Sequence, residues 1–308
     1  VGFHDGELAV QRRAGVSAQA ERLAGMLDAP DLGGGIGRFL AERTFAAITG
    51  RDGAGRLWIS PVTGPPGFLE VAGSSTLRVR GGPGPGDPLH GIAAGQPVGL
   101  LAIEFARRRR VRVNGTLVGA DQAGLTIEVD QAYGNCPQYI RPRILAPAAD
   151  QPESPAGPTR RAAELGAGDI ELIRRADTAL LGTTHPERGN DASHRGGPPG
   201  FVRVLDGRTL WLPDYPGNNM FNSLGNLAVD PSAALLFVDF ADGATVRLSG
   251  TARLDWATAE GGDDEAHDDN DDDVDGGTGR RVRFTVEAVA TGPSIALRAK
   301  DVSADQFR

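Results

Sequence analysis

A repeat constrains this chain more than any other feature. "GPPGF" occurs at Gly64 to Phe68 and again at Gly197 to Phe201. With 44 Gly and 21 Pro in the chain, so short a string could recur by chance, and the flanking residues decide the matter. Shifted by 133 positions, "WISPVTGPPGFLEVAGSSTLRV" (Trp58 to Val79) lies on "DASHRGGPPGFVRVLDGRTLWL" (Asp191 to Leu212) without a gap. Ser60 meets Ser193, Val71 meets Val204, Thr76 meets Thr209 and Leu77 meets Leu210. Two positions further on, "VGLLAIEF" (Val98 to Phe105) lies on "AALLFVDF" (Ala233 to Phe240), and "VRVNGT" (Val111 to Thr116) on "VRLSGT" (Val246 to Thr251). Matches that recur in one order mean two copies of one domain-sized unit, and 308 residues give room for both.

Each unit reads mainly as strands. "LEV", "TLRV", "GLLAIEF", "RVRVNGTLV" and "LTIEVDQAY" are short, rich in β-branched residues and bounded by Gly or Asp. "RDGAG" and "LDGRT" carry the Asp-Gly pair that tight hairpins favour. "GLLAIEF" and "ALLFVDF" are almost wholly apolar, which predicts burial on both faces. Helices are predicted over Ser17 to Asp28, Asp169 to Arg175 and Asn218 to Pro231. The pattern divides the chain into an N-terminal helical extension (1–40), a first unit (41–145), a Pro/Ala-rich linker (146–161) and a second unit (162–308).

Composition narrows the partners. The net charge of −8 resides in "GGDDEAHDDNDDDVDGG" (Gly261 to Gly277), which holds eight Asp and one Glu. This run predicts a solvated, disordered acidic loop over 260–278. It lacks the Gly and Glu spacing of an EF-hand, so calcium is the weaker reading. The remainder is near neutral, without the broad basic surface nucleic acid requires. "ARRRRVRVNG" falls at a strand-to-strand turn and reads as an ion-paired edge. No apolar run approaches the roughly 18 residues of a membrane span. One cysteine, Cys136, forms no internal disulfide and fits a reducing, cytoplasmic setting; it reads as a buried structural thiol. His4, Asp5 and Glu7 read as a polar terminus, and no metal site is expected.

The second unit resembles the FMN-binding split-barrel family of pyridoxamine 5′-phosphate oxidase and its relatives. The order of segments carries the likeness: the "ASHRGG" strand, a hairpin, "LWLPDYPGNNMFNSLGNLAVDP", the apolar strand "ALLFVDF" and then "TVRLSG". The first unit, with "GLLAIEFARRRRVRVNGT" and "QAYGNCPQYIRPR", is similar to a further branch of that superfamily. The resemblance implies a mainly β fold, a β-barrel with a few helices, here as two tandem FMN-binding-type split barrels forming a pseudo-dimer. It also implies a flavin in the groove between the barrels.

Carried over by position, the resemblance implies cofactor contacts from Ser193, His194, Arg195 and Gly196 on the "ASHRGG" strand. It adds Pro213, Asp214, Asn218 and Asn219 at the following turn, and Thr245 and Arg247 on "TVRLSG". His194 and Arg195 point to opposite faces of a strand, and Arg195 is the favoured ligand contact. Asn218 and Asn219 stand where the family has an Arg-Lys pair for the phosphate, and Thr245 where it has a Gln. The first unit has Pro61 and Val62 opposite His194 and Arg195, so at most one groove keeps a phosphate-type site. Arg110, Tyr133, Asn135 and Tyr139 are the first barrel's candidates for the shared groove.

Two kinds of function follow. One is an FMN-dependent oxidoreductase acting on an unidentified small molecule, with a reductase as a partner. The other is a non-catalytic protein that binds flavin, deazaflavin or haem, or a scaffold that has lost its cofactor. A monomer or a further dimer both fit the pseudo-dimer arrangement.

Overall fold

A computed structural model describes residues 2–27, 31–148, 159–257, 276–292 and 295–300. The acidic run up to residue 275 and the middle of the linker lie outside these residues. The N-terminal extension holds α1 (Asp5–Arg13), α2 (Ser17–Glu21), a 3-10 turn (Ala24–Leu27) and α3 (Gly34–Ala41). The helix expected from Ser17 is therefore a single α-turn followed by 3-10 geometry.

The first unit contributes β1 (Phe45–Arg51), β2 (Leu57–Thr63), β3 (Leu69–Val71), β4 (Thr76–Arg80), β5 (Gln96–Glu104), β6 (Arg109–Asp121) and β7 (Gly124–Gly134). Two short strands, β8 (Ile144–Pro147) and β9 (Arg160–Ala162), stand at the ends of the expected linker. After α4 (Ala167–Arg175), the second unit contributes β10 (Thr178–His185), β11 (Gly189–Gly196), β12 (Arg203–Val204), β13 (Thr209–Pro213), β14 (Ser232–Val238), β15 (Thr245–Trp256) and β16 (Arg280–Thr291). Between β13 and β14 lies α5 (Asn222–Leu227), and β17 (Leu297–Lys300) pairs with β8.

The sheets repeat one topology. The first runs β2-β1-β5-β6-β7-β4-β3 and the second β11-β10-β14-β15-β16-β13-β12, with all pairs antiparallel. Each strand of the first sheet thus occupies the place of its counterpart in the second. The repeated pentapeptide makes the same turn twice. Phe68 N–H donates to Pro65 O and Phe201 N–H to Pro198 O, each at 3.0 Å. Gly67 and Gly200 both have φ near +90°, at 92° and 84°, which only glycine adopts without strain. Phe68 and Phe201 then enter the cores of their own barrels.

The apolar strands are buried on both faces because they serve two cores. Leu100 and Ala102 of β5 point into the first barrel, whereas Leu101 and Ile103 face a shared core between the barrels. In β14, Ala233, Leu235 and Phe237 point inward, and Ala234, Leu236 and Val238 face that shared core. Phe45, Phe105 and Phe240 form its aromatic centre, with centroids 5.1–6.1 Å apart in tilted and edge-on geometry. The hydrophobic burial that closes each barrel therefore also holds the pair together. Strand β11 consequently lies against β5 and β6 of the other barrel, with the Gly99 backbone pressed on Asp191. This contact positions the site.

Candidate functional site between the barrels

A cleft of about 780 Å³, open mouth included, lies where β11 and the loop before α5 meet β6 and the segment after β7. It brings together eleven residues that the sequence nominated separately. Ser193, His194, Arg195, Gly196, Pro213, Asp214, Asn218 and Asn219 line it from the second barrel. Arg110, Asn135 and Tyr139 line it from the first.

Arg110 is the cleft's central charge. It stands on β6 with Arg112 two residues on, so both point the same way. Arg110 Nη1 donates to Nδ1 of His194 at 3.0 Å. Among the described residues no carboxylate lies within ion-pair distance of it, and its Nε has no partner. Burial first, then the nearby Arg112 and Arg195 charges, lower its pKa to about 9. At neutral pH it is a half-buried cation without a carboxylate partner among the described residues.

That bond also fixes His194. A guanidinium can only donate, so Nδ1 accepts and the proton resides on Nε2, which has no partner. Burial, followed by Arg110, Arg143 and Arg195, holds the His194 pKa well below its usual value. The ring is a neutral N–H donor. Arg195, the expected ligand contact, sits on the opposite strand face and pairs with Asp214 at 2.9 Å. Asp214 binds Arg280 as well, at 2.8 Å. His194, rather than Arg195, is the residue that contacts the unpaired cation.

Around this point four guanidinium groups (Arg110, Arg112, Arg195 and Arg280) face two carboxylates, Asp191 and Asp214. The positive excess matches an anion such as a phosphate monoester, which carries about −1.5 to −2 near neutral pH. The unpartnered groups agree in kind: Arg110 Nε, Arg195 Nε and His194 Nε2 are all donors.

Asn218 and Asn219 do not open a helix. Asn219 and Phe221 both take left-handed φ, 61° and 59°, and α5 begins only at Asn222. The loop spreads across the cleft mouth instead. Asn218 Nδ2 donates to Asn135 Oδ1 at 2.9 Å, and Asn218 Oδ1 accepts from Met220 N–H at 3.1 Å. Tyr139 stacks on Tyr215 with centroids 4.9 Å apart. Thus both bridges join the first barrel's 135–139 segment to the second barrel's loop.

The cleft also uses residues that the sequence reading did not nominate. Ser223 Oγ donates to Asp191 Oδ2 at 2.9 Å and lies 3.0 Å from Ser193 Oγ. Asp191 in turn pairs with Arg112 at 3.1 Å. Phe201, Phe221 and Leu224 supply apolar wall. Cys136 lines the cleft too, half-buried rather than in a core. Phe201 was visible as the last residue of the repeated pentapeptide, whereas Ser223 carried no local signal.

Tyr133, Thr245 and Arg247 lie outside the cleft. The Tyr133 hydroxyl accepts from Arg112 Nη1 at 3.3 Å and faces a second cavity. Burial raises its pKa, so it stays a neutral phenol. Thr245 and Arg247 are the duplicates of Arg110 and Arg112, and they sit in the other groove. There Arg247 Nε lies 2.8 Å from Asp87 Oδ2, and Ser60 Oγ, the duplicate of Ser193, donates to Asp87 Oδ1 at 2.6 Å. Arg247 also donates to Thr245 Oγ1 at 2.9 Å. This groove has Thr245, Pro61 and Val62 at the places of Arg110, His194 and Arg195, and an internal carboxylate, Asp87, pairs with its Arg247.

Among the described residues no group of three or more His, Cys, Asp or Glu is placed to hold a metal ion. No described helix is long and apolar enough to cross a membrane.

The family described as Pyridoxamine 5'-phosphate oxidase matches residues 170–266. No curated protein matches the sequence. Among solved structures, a putative pyridoxamine 5'-phosphate oxidase from Lactobacillus delbrueckii is 18% identical, with TM-score 0.32, over 42% of this chain and 94% of that one. The FAD binding protein from Mycobacterium smegmatis is 13% identical, with TM-score 0.28, over 45% of this chain and all of that one (100%). HutZ, the heme storage protein from Vibrio cholerae, is 13% identical, with TM-score 0.25, over 42% of this chain and 90% of that one. The matched residues 170–266 fall within the second barrel, whose strand order the first barrel repeats.

Proposed function

We propose that the inter-barrel cleft binds FMN and that the chain is a flavin-dependent oxidoreductase acting on a small molecule. The observation that carries this reading is Arg110, a half-buried guanidinium with a buried, unpartnered Nε and no carboxylate, among donors that lack acceptors. An uncompensated buried cation is costly, and a bound anion removes that cost. A phosphate supplies both the charge and the acceptor oxygens.

The residues present fit such a ligand. Arg110, with Arg195 and the Asn218 and Asn219 amides, forms the polar end of the lining. Phe201, Phe221, Leu224 and the Tyr139–Tyr215 stack offer apolar surface for an aromatic ring and exclude water from it. FMN, when bound, would supply hydride or electron transfer. The chain's own part is to bind, orient and desolvate. The neutral His194 presents an N–H donor whose tautomer is set by Arg110.

The same tautomer weighs against haem. A neutral His194 could ligate iron through Nε2 only after giving up the proton that Arg110 keeps there. The test is a comparison of FMN with riboflavin, which shares the ring but lacks the phosphate. FMN should bind at least about tenfold more tightly, the effect of a single charge-assisted hydrogen bond. Equal affinities would remove phosphate recognition from the account.

A further inference from the structure

Behind the cleft lies a second cavity, and its chemistry is the reverse of the first. It is lined by His4 and Glu7 from α1, by Asn114 and Tyr133, and by Asn190 and Asp191 from β11. Asn222 borders both cavities. Its space is about 350 Å³, open mouth included.

The groups left without partners here are acceptors. Asn114 and Asn190 are 8% and 2% exposed, and the Oδ1 of each has no donor. The amides are not reversible. Asn114 Nδ2 donates to Asp191 Oδ1 at 3.3 Å, and Asn190 Nδ2 to the Pro97 carbonyl at 2.8 Å. Turning either amide would set oxygen against oxygen. The two free oxygens therefore call for a donor.

Glu7 adds charge to this demand. It is 4% exposed. Its carboxylate accepts from Asn222 Nδ2 and from the His4 N–H at 2.8 Å. No guanidinium or ammonium pairs with it among the described residues; the nearest basic group, the His4 ring, is 3.5 Å away. That ring is neutral, because burial and then His185 lower its pKa to about 4. Burial raises the Glu7 pKa to about 7, with Asp191 adding to the rise and the exposed Arg188 at the rim opposing it. Asp191 is already occupied by Arg112. Glu7 is thus a buried carboxylate without a cation, as Arg110 is a half-buried cation without a carboxylate.

We propose that this second cavity binds a small ammonium-type cation, ammonium itself or a primary alkylammonium, between the Glu7 carboxylate and the amide oxygens of Asn114 and Asn190. One such ion satisfies both features: its charge pairs with Glu7, and its N–H groups reach the two orphaned acceptors. Water meets the second need only. The site is separate from the cleft and does not rest on the flavin reading.

Calorimetric titration of the full chain with methylammonium near pH 7, where Glu7 is partly protonated, tests this in two buffers of different ionisation enthalpy. Saturable binding with proton release is expected, because the cation favours ionised Glu7. Tetramethylammonium, which has the charge without N–H groups, should not compete. Glu7→Gln should abolish the proton release and weaken binding at least about tenfold. Absence of saturation, equal binding of tetramethylammonium, or unchanged affinity in Glu7→Gln would overturn the proposal. The contrast between the two cations needs wild-type protein alone, so it stands even if the variant fails to fold. A protein that binds methylammonium but no FMN retains this site and loses the cofactor reading.

Discussion

Arg110 of the first barrel donates a hydrogen bond to His194 of the second at 3.0 Å, across the boundary between two duplicated units. Neither residue has a like counterpart in the other copy: Thr245 stands at the place of Arg110 and Pro61 at that of His194. A single chain carrying both barrels can hold this pair in one groove and not in the other. In an exact homodimer both grooves would change together.

The closed groove should be structural. Arg247 and Asp87 are both about 2% exposed at their side chains and pair at 2.8 Å. Asp87→Ala leaves a buried guanidinium unpaired and should cost about 3–5 kcal/mol in unfolding free energy. The double change Asp87→Leu with Arg247→Met should recover much of that loss. Denaturant unfolding measures both, and FMN affinity at the other groove should not change.

Much of the fold was readable because duplication doubles the signal. The apolar strands β5 and β14 and the repeated Gly-Pro-Pro-Gly-Phe turn each appeared twice in register. The cleft was less readable. Arg195 is set beside His194 in sequence, yet its charge is held by Asp214, and no local pattern foretells that ion pair. Thr245 and Arg247 followed the family's order correctly along the chain but belong to the opposite groove, because each groove takes one strand from each barrel. Asn218 and Asn219 looked like a helix start, and left-handed backbone at Asn219 and Phe221 delays that start to Asn222.

Buried titratable groups should make stability depend on pH, with the histidines and Glu7 acting in opposite directions. His194 and His4 have folded pKa values below the unfolded value of 6.5, so the stability they contribute is present above 6.5 and is lost as pH falls. Glu7 is raised from 4.5 to about 7, so its contribution is full below 4.5 and lost as pH rises through 7. The two effects oppose one another between pH 4.5 and 6.5, so the Glu7 contribution is read from thermal melts of wild type and Glu7→Gln side by side. Glu7→Gln should remove the loss between pH 4.5 and about 7, so its stability relative to wild type should rise over that range and level off above it. A difference between variant and wild type that stays constant from pH 4.5 to about 7 would contradict a buried, unpaired Glu7.

Gly196 closes the cleft's floor. A Cβ there would collide with the Tyr139 carbonyl oxygen, a backbone atom of the other barrel, and with the His194 ring. Gly196→Ala should push the 135–139 segment away and cost about 1–3 kcal/mol. The Tyr139–Tyr215 stack would loosen with it. Proteolytic cleavage after Tyr139 under native conditions, faster in the variant than in wild type, would report that opening; equal rates would contradict it.

The central claim is that Arg110 is the anchor for a phosphate. Its most direct test is FMN affinity, by quenching of flavin fluorescence, in wild type and in Arg110→Met, with riboflavin titrated in parallel. The account expects wild type to prefer FMN, and the variant to lose roughly 1.5–3 kcal/mol for FMN while riboflavin affinity stays unchanged. Unchanged FMN affinity in Arg110→Met, with the protein folded, would contradict it.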